Sequence, residues 1–197
     1  METVSRSHAR LKSMVFVALM AAFLCIFSPI SIPLPLVPIT LQTFGVFLVS
    51  ALLGWKRGTV AVLIYLLLGL IGLPVFSGWT GGFSSFATPS SGYIIGFLFT
   101  ALLTGFLIDR FSRQFWMYPV AMAAGLAVCY LFGTIWFLVY MNVWMSTPYS
   151  FWEAVLICVL PFLVGDAVKI AAAAALSYPL RKQLVRNGVL TERRKQS

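Results

Sequence analysis

Six apolar runs, at about residues 13–27, 40–53, 59–71, 92–108, 115–140 and 152–180, decide what this chain can fold into. Hydrophobic residues make up 60% of its 197 positions and charged residues only 10%. A soluble domain carries about 25% charged residues, so there is too little polar surface here to coat six such segments in water. A bilayer is the solvent that remains. Each crossing takes about 20 apolar residues, and a lipid-embedded backbone must satisfy its own hydrogen bonds, which leaves helices or closed barrels. Barrel strands alternate apolar and polar residues; these runs are continuous. The expected fold class is an all-α integral membrane protein with six transmembrane helices. It divides into residues 1–12, a cytoplasmic N-terminal segment; 13–180, the membrane domain; and 181–197, a basic cytoplasmic tail.

The breaks between runs have identifiable causes. The first run stops at "SPISIPLPLVP", whose prolines cannot continue a helix. "GWKRG" separates the second from the third, and "DRFSR" the fourth from the fifth. "METVSRSHARLK" leads into the first run without a convincing small-residue cleavage site, so that run is read as a retained span, with His8 a lone solvated residue. Cys25, Cys129 and Cys158 lie inside apolar runs without a CxxC spacing, which fits neither a disulfide frame nor a metal site.

Charge gives the orientation. Thirteen of the fourteen Lys and Arg residues fall in the N-terminal segment, the second–third connection, the fourth–fifth connection and the C-terminal tail. The three alternate connections hold no charged residue. Cytoplasmic loops carry the Lys/Arg excess, so both termini are expected in the cytoplasm with an even number of crossings. The net charge of +9 is thus a topology signal dispersed among short clusters, and nucleic acid is not an expected partner.

The fourteenth basic residue is Lys169, in "PFLVGDAVKIAAAAAL" with Asp166 three positions before it. Residues three apart share one helix face. Asp166 lies 14 residues after Trp152, about 21 Å along an unbroken helix, at membrane depth. A charge there costs roughly 2.5–3.5 kcal/mol on insertion scales and is a functional candidate by default. One reading is a buried ion pair that fixes helix packing. The other is an acceptor and a donor placed side by side to grip a polar solute. Pro161 fits an irregular, cavity-lining helix, because it leaves the carbonyl of Ile157 without its helical donor; a packing kink accounts for it equally well.

"GLPVFSGWTGGFSSFATPSSGY" is long, neutral and rich in Gly, Ser and rings. Gly78, Gly81 and Gly82 permit close approaches, and Trp79, Phe83, Phe86 and Tyr93 offer apolar faces, two of them with polar tips. An interfacial aromatic belt is one reading; a lid over a partly apolar ligand is the other. "PLPLVPITLQTFG" forms a second outer flap, from which Gln42 and Thr43 could reach the same cavity, as could Asn142 from the fifth run. Local satisfaction is the plainer reading of each of these three. Ala18 and Ala22 sit four apart in the first run, a spacing at which small residues let another membrane helix approach.

Catalysis finds little support. Asp166 is the one deep acid, so no aspartate pair exists, and HExxH, GxSxG and Walker A sequences are all absent. No cofactor or metal is expected. Uphill transport would draw on a partner or an ion gradient, and a proton-coupled secondary carrier using Asp166 as its proton site remains an alternative.

"PLPLVPITLQTFGVFLVSALLGWKRG", "GLPVFSGWTGGFSSFATPSSGYIIGF" and "LPFLVGDAVKIAAAAAL", in that order, resemble the BioY family, biotin-binding S-components of energy-coupling factor (ECF) transporters. The resemblance runs from about residue 18 to 180. It implies six spans with both termini inside, a bacterial plasma membrane, and assembly with a transmembrane T-component and two ABC-type ATPase subunits. It implies biotin as the ligand, with Asp166 accepting from a ureido N–H and Lys169 donating to a ligand oxygen. Thr80 and Gly81 in "GWTGG", and Tyr93 in the family's Gly-Tyr, become candidate contacts beside Trp79 and Phe83. Ala18 and Ala22 match the surface by which S-components meet the T-component. An S-component for another vitamin is the nearest alternative. Departures occur at Ile94, a position that is basic in some relatives, and at Thr88-Pro89, usually Gly-Pro. The ligand's carboxylate then falls to neutral donors or to Lys169.

Overall fold

The computed structural model describes residues 2–111 and 114–187, with side chains described from residue 11 onward. It is mostly helical. Helix α1 (Glu2–Phe27) runs straight through the basic N-terminal segment, so the expected boundary at residue 13 is not a helix boundary. The side chains of Arg6, His8 and Arg10 lie outside the described residues, as do Arg113 and the tail beyond residue 187. Between α1 and the next helix, strands β1 (Ser31–Ile32) and β2 (Ile39–Thr40) pair antiparallel, Ser31 opposite Thr40. This small ladder and an isolated antiparallel bridge between Phe76 and Thr80 depart from the all-α expectation, and the ladder makes the proline-rich flap a hairpin.

Helix α2 (Gln42–Leu70) is interrupted at Gly54, whose φ of 76° and ψ of −178° suit only glycine. The interruption is a reversal. Gln42 Nε2 donates to Tyr65 Oη at 2.8 Å, whereas 23 residues of straight helix would separate the two by about 34 Å. Gly58 likewise lies against the backbone of Ser50, where an added Cβ would stand 3.0 Å from that residue's Cα. Residues 42–53 and 55–70 are therefore two antiparallel limbs joined by a one-residue turn. "GWKRG", read from sequence as a connection, is that turn plus the first residues of the second limb.

Helices α3 (Ser91–Phe111) and α4 (Met117–Val139) pack through glycines on both sides. Gly92 faces Trp136, Gly96 faces Cys129, Gly125 faces Thr100 and Thr104, and Gly133 faces the ring of Tyr93. Small residues let membrane helices approach closely, and polar side chains then bridge them: Thr100 Oγ1 donates to the Gly125 carbonyl at 3.0 Å. Helix α4 passes into a wide turn, Tyr140–Trp144.

The last apolar run is two helices. Helix α5 (Phe151–Cys158) starts at a capping box in which Glu153 N–H donates to Ser150 Oγ, and Ser150 N–H to Glu153 Oε2. It ends before Pro161, which lies in a tight turn at Leu160–Phe162, and α6 (Leu163–Arg186) follows. Four long helical stretches, Gln42–Leu70, Ser91–Phe111, Met117–Trp144 and Phe151–Arg186, are apolar enough to cross a membrane, and Leu11–Phe27 is a shorter apolar one. Leu67, Phe99, Phe106, Leu131, Ile135, Val164 and Val168 all face outward. The chain is a multi-pass membrane protein.

At one end of the bundle Arg181 of α6, counted from sequence as part of the basic tail, is buried. It donates to the Ala51 carbonyl at 2.6 Å and pairs with Asp109 of α3, which also accepts the Trp55 N–H at 3.0 Å. At the other end, residues 71–90 fold over the bundle. Phe76 anchors them, buried edge-on against Tyr65 and Phe86, and Gly78 N–H donates to the Pro29 carbonyl at 3.1 Å, tying this cover to the first flap.

Candidate functional site

Beneath the two flaps lies a cavity of about 450 Å³, within the range of small-molecule sites. Its wall draws on the β hairpin (Val37, Pro38, Thr40), the start of α2 (Gln42, Thr43), the 71–90 cover (Phe76, Ser77, Thr80, Ser84, Ser85, Thr88), the region of the α3 N-terminus (Ser90, Tyr93, Ile94, Phe97), α4 (Cys129, Tyr130), and Phe162, Asp166 and Lys169.

Asp166 and Lys169 sit at its centre of charge. The break at Pro161 makes Asp166 a first-turn residue of the 24-residue α6, where a carboxylate meets the positive end of the helix dipole. Its side chain is almost wholly buried, with the residue 2% exposed. Oδ1 accepts from Lys169 Nζ at 2.8 Å and from Thr43 Oγ1 at 3.1 Å, and Oδ2 accepts from Tyr130 Oη at 2.6 Å. Lys169 Nζ also donates to Thr43 Oγ1 at 3.2 Å. A carboxylate offers about four lone-pair positions, and an ammonium has three protons. Three acceptor positions of Asp166 and two protons of Lys169 are in use. One of each is left, adjacent, on a cavity wall. Lys169 is the single cation lining the cavity among the described residues.

The other sequence candidates divide. Gln42, Thr43, Thr80 and Tyr93 line the cavity with the pair. Gln42 is held by Tyr65, and Thr80 Oγ1 donates to the Ser77 carbonyl at 2.9 Å. Tyr93 Oη donates to the Cys158 carbonyl at 2.6 Å. The carbonyl that Tyr93 caps at the end of α5 is thus that of Cys158, one residue past the Ile157 carbonyl singled out from the sequence. Four candidates are not in the wall. Trp79 and Phe83 point outward, 66% and 78% exposed. Gly81 is pressed against the Leu73 carbonyl, with no room for a Cβ. Asn142 brackets Tyr149, accepting its N–H at 2.7 Å and donating to its carbonyl at 3.2 Å, and so shapes the turn into α5. Ala18 and Ala22 are exposed on α1 with Leu11, Val15, Leu19 and Ile26.

Sequence reasoning missed Tyr130, the second partner of Asp166. The signal was available: a phenol inside an apolar run needs a hydrogen-bond partner. It also missed that Phe76, Phe97 and Phe162 supply the cavity's apolar faces in place of Trp79 and Phe83.

The model of the BioY family matches residues 2–186. This chain belongs to the BioY family. It is 38% identical over 171 residues to the probable biotin transporter BioY of Lysinibacillus sphaericus, covering 86% of this chain and 87% of that one. It is 34% identical over 172 residues to the biotin transporter BioY of Thermotoga maritima, covering 87% and 97%. Among solved structures, it resembles the S-component for biotin from an ECF-type ABC transporter with a TM-score of 0.79 at 32% identity, over 88% of this chain and 93% of that one.

Proposed function

We propose that this chain takes up biotin as the substrate-binding membrane subunit of an ECF-type transporter. The observation that carries the reading is the unfilled valence of the Asp166–Lys169 pair. A cyclic urea presents an N–H donor beside a carbonyl acceptor, the complement of one free carboxylate lone pair beside one free ammonium proton. Phe76, Phe97 and Phe162 provide apolar surface for the thioether ring. The protein is not an enzyme in this reading: the wall holds one acid, and its work is recognition.

The two limbs of α2 support six crossings, counted as α1, residues 42–53, residues 55–70, α3, α4, and α5 with α6. Lys56, Arg57, Arg110 and Arg186 then gather on the side opposite the flaps, which supports cytoplasmic termini and a cavity open to the outside of a bacterial plasma membrane. The exposed Ala18 and Ala22 face supports docking of a T-component, and two ABC-type ATPase subunits would complete the transporter.

The test is calorimetry on the purified chain. Biotin should give saturable heat at one site per chain; no heat, or equal heat from an unrelated vitamin, contradicts the proposal. In cells holding the partner subunits, uptake should survive collapse of the proton gradient while ATP is maintained. Uptake lost with the gradient would favour a proton-coupled carrier.

A further inference from the structure

We propose that the end of the bundle opposite the flaps carries a site for the headgroup of an anionic phospholipid. Lys182 and Tyr178 of α6 and Arg110 of α3 build it, beside the α3–α4 connection and far from the cavity.

Charge at this end is unbalanced. From residue 11 to residue 187 the chain has three acids, Asp109, Glu153 and Asp166. Glu153 caps α5 and Asp166 lines the cavity, which leaves Asp109 at the Arg181 end, already paired with Arg181. Lys56, Arg110, Lys182 and Arg186 are exposed, with no acid among the described residues to answer them. Arg110 and Lys182 leave neighbouring backbones. Each is the residue after a member of the Asp109–Arg181 pair, and that contact sets the ends of α3 and α6 side by side.

Lys182 is also seated on rings. Its Nζ lies 4.1 Å from the centre of the Tyr178 ring and donates to Tyr178 Oη at 2.6 Å. Tyr178 stands edge-on to Phe115 of the α3–α4 connection, with ring centres 5.4 Å apart, and Phe115 packs against Trp116. Trp116 is 76% exposed. Tryptophan and tyrosine mark the headgroup level of a bilayer.

The donors have capacity to spare. An ammonium has three protons, and Lys182 spends one on Tyr178; the Arg110 guanidinium has five N–H donors and no partner among the described residues. A phosphodiester brings acceptor oxygens and the negative charge that this set lacks. Phe106, one turn before Arg110 on the same face of α3, points outward where an acyl chain would run. That apolar neighbour and the ring cluster favour a lipid over a free phosphate. Orientation in the membrane requires basic residues on this side, but it does not require a lysine held on an aromatic shelf with protons unspent.

The experiment titrates the purified chain in detergent with phosphatidylglycerol or with phosphatidylcholine of the same acyl chains, and counts bound lipid by native mass spectrometry. A Lys or Arg beside an anionic headgroup is worth about fivefold in affinity, so the wild type should prefer phosphatidylglycerol about 25-fold. Lys182→Gln and Arg110→Gln should each cut that preference about fivefold. Lys12→Gln, which removes the same charge from α1, should leave it unchanged, and inorganic phosphate at the lipid's concentration should not displace the lipid. Both lipids are measured on each preparation, so a folding defect lowers both and the ratio still decides. Equal retention of the two lipids, displacement by inorganic phosphate, or an equal loss in Lys12→Gln overturns the proposal, the last because diffuse positive charge would then suffice.

Discussion

Two aspartate–cation pairs lie at opposite ends of α6, and their differences separate an ion pair that holds the bundle from one that can hold a guest. Arg181, 15 residues beyond Asp166, is about 22 Å from it along the helix. At the Arg181 end, the guanidinium joins α6 to the Ala51 carbonyl and to Asp109 of α3, while Asp109 also accepts from Trp55 just past the Gly54 reversal. Every partner is backbone or another helix, and neither Arg181 nor Asp109 lines the cavity beneath the flaps. At the Asp166 end, Thr43 and Tyr130 brace the pair from two other elements, yet one acceptor and one donor still face open volume. Charge is alike in the two pairs and both cations are mostly buried, although the Asp109 side chain is 26% exposed and that of Asp166 only 3%. Arg181 uses two of its five N–H donors and so has valence to spare as well; what sets the Asp166–Lys169 pair apart is the cavity that it lines.

The comparison breaks if the two pairs respond alike to mutation. The largest effect belongs to the cavity pair: Asp166→Asn or Lys169→Met should weaken biotin binding by about 2–5 kcal/mol, because each leaves a buried partner unpaired, and calorimetry reads this directly. Arg181→Met should instead cost about 3 kcal/mol of stability, the lower end for breaking a buried pair since Asp109 keeps some water. A thermal melt in detergent checks it, with biotin affinity of the folded protein nearly unchanged. Tyr130→Phe removes one neutral donor from Asp166 and should cost about 1 kcal/mol of binding. Trp79→Ala and Phe83→Ala, which remove outward-facing rings, should change binding by less than about 0.5 kcal/mol; a larger loss would mean that these rings fold inward over the ligand.

The membrane character, the order of apolar segments and the Asp166–Lys169 contact were all legible, because each depends on local spacing. Apolar runs and basic clusters mark segment ends, and residues three apart on a helix meet whatever surrounds them. The Gly54 reversal was half legible: Lys56 and Arg57 marked a connection, but only the backbone angles reveal that one residue makes the whole turn. What could not be read is what depends on distant neighbours. Tyr130 and Asp166 are 36 residues apart, and Arg181 looked like a tail charge until Asp109 was beside it. In the 71–90 cover, Trp79 itself adopts φ 61° between turns at Gly78 and Gly82, and those angles decide that Phe76 goes in while Trp79 goes out.

A structure of the chain with biotin bound tests the central claim most directly. It should place a ureido N–H within hydrogen-bonding distance of Asp166 Oδ2 and the ureido oxygen against Lys169 Nζ, with Thr43 and Tyr130 still in contact. A ureido ring lodged elsewhere, out of reach of both Asp166 and Lys169, would contradict it.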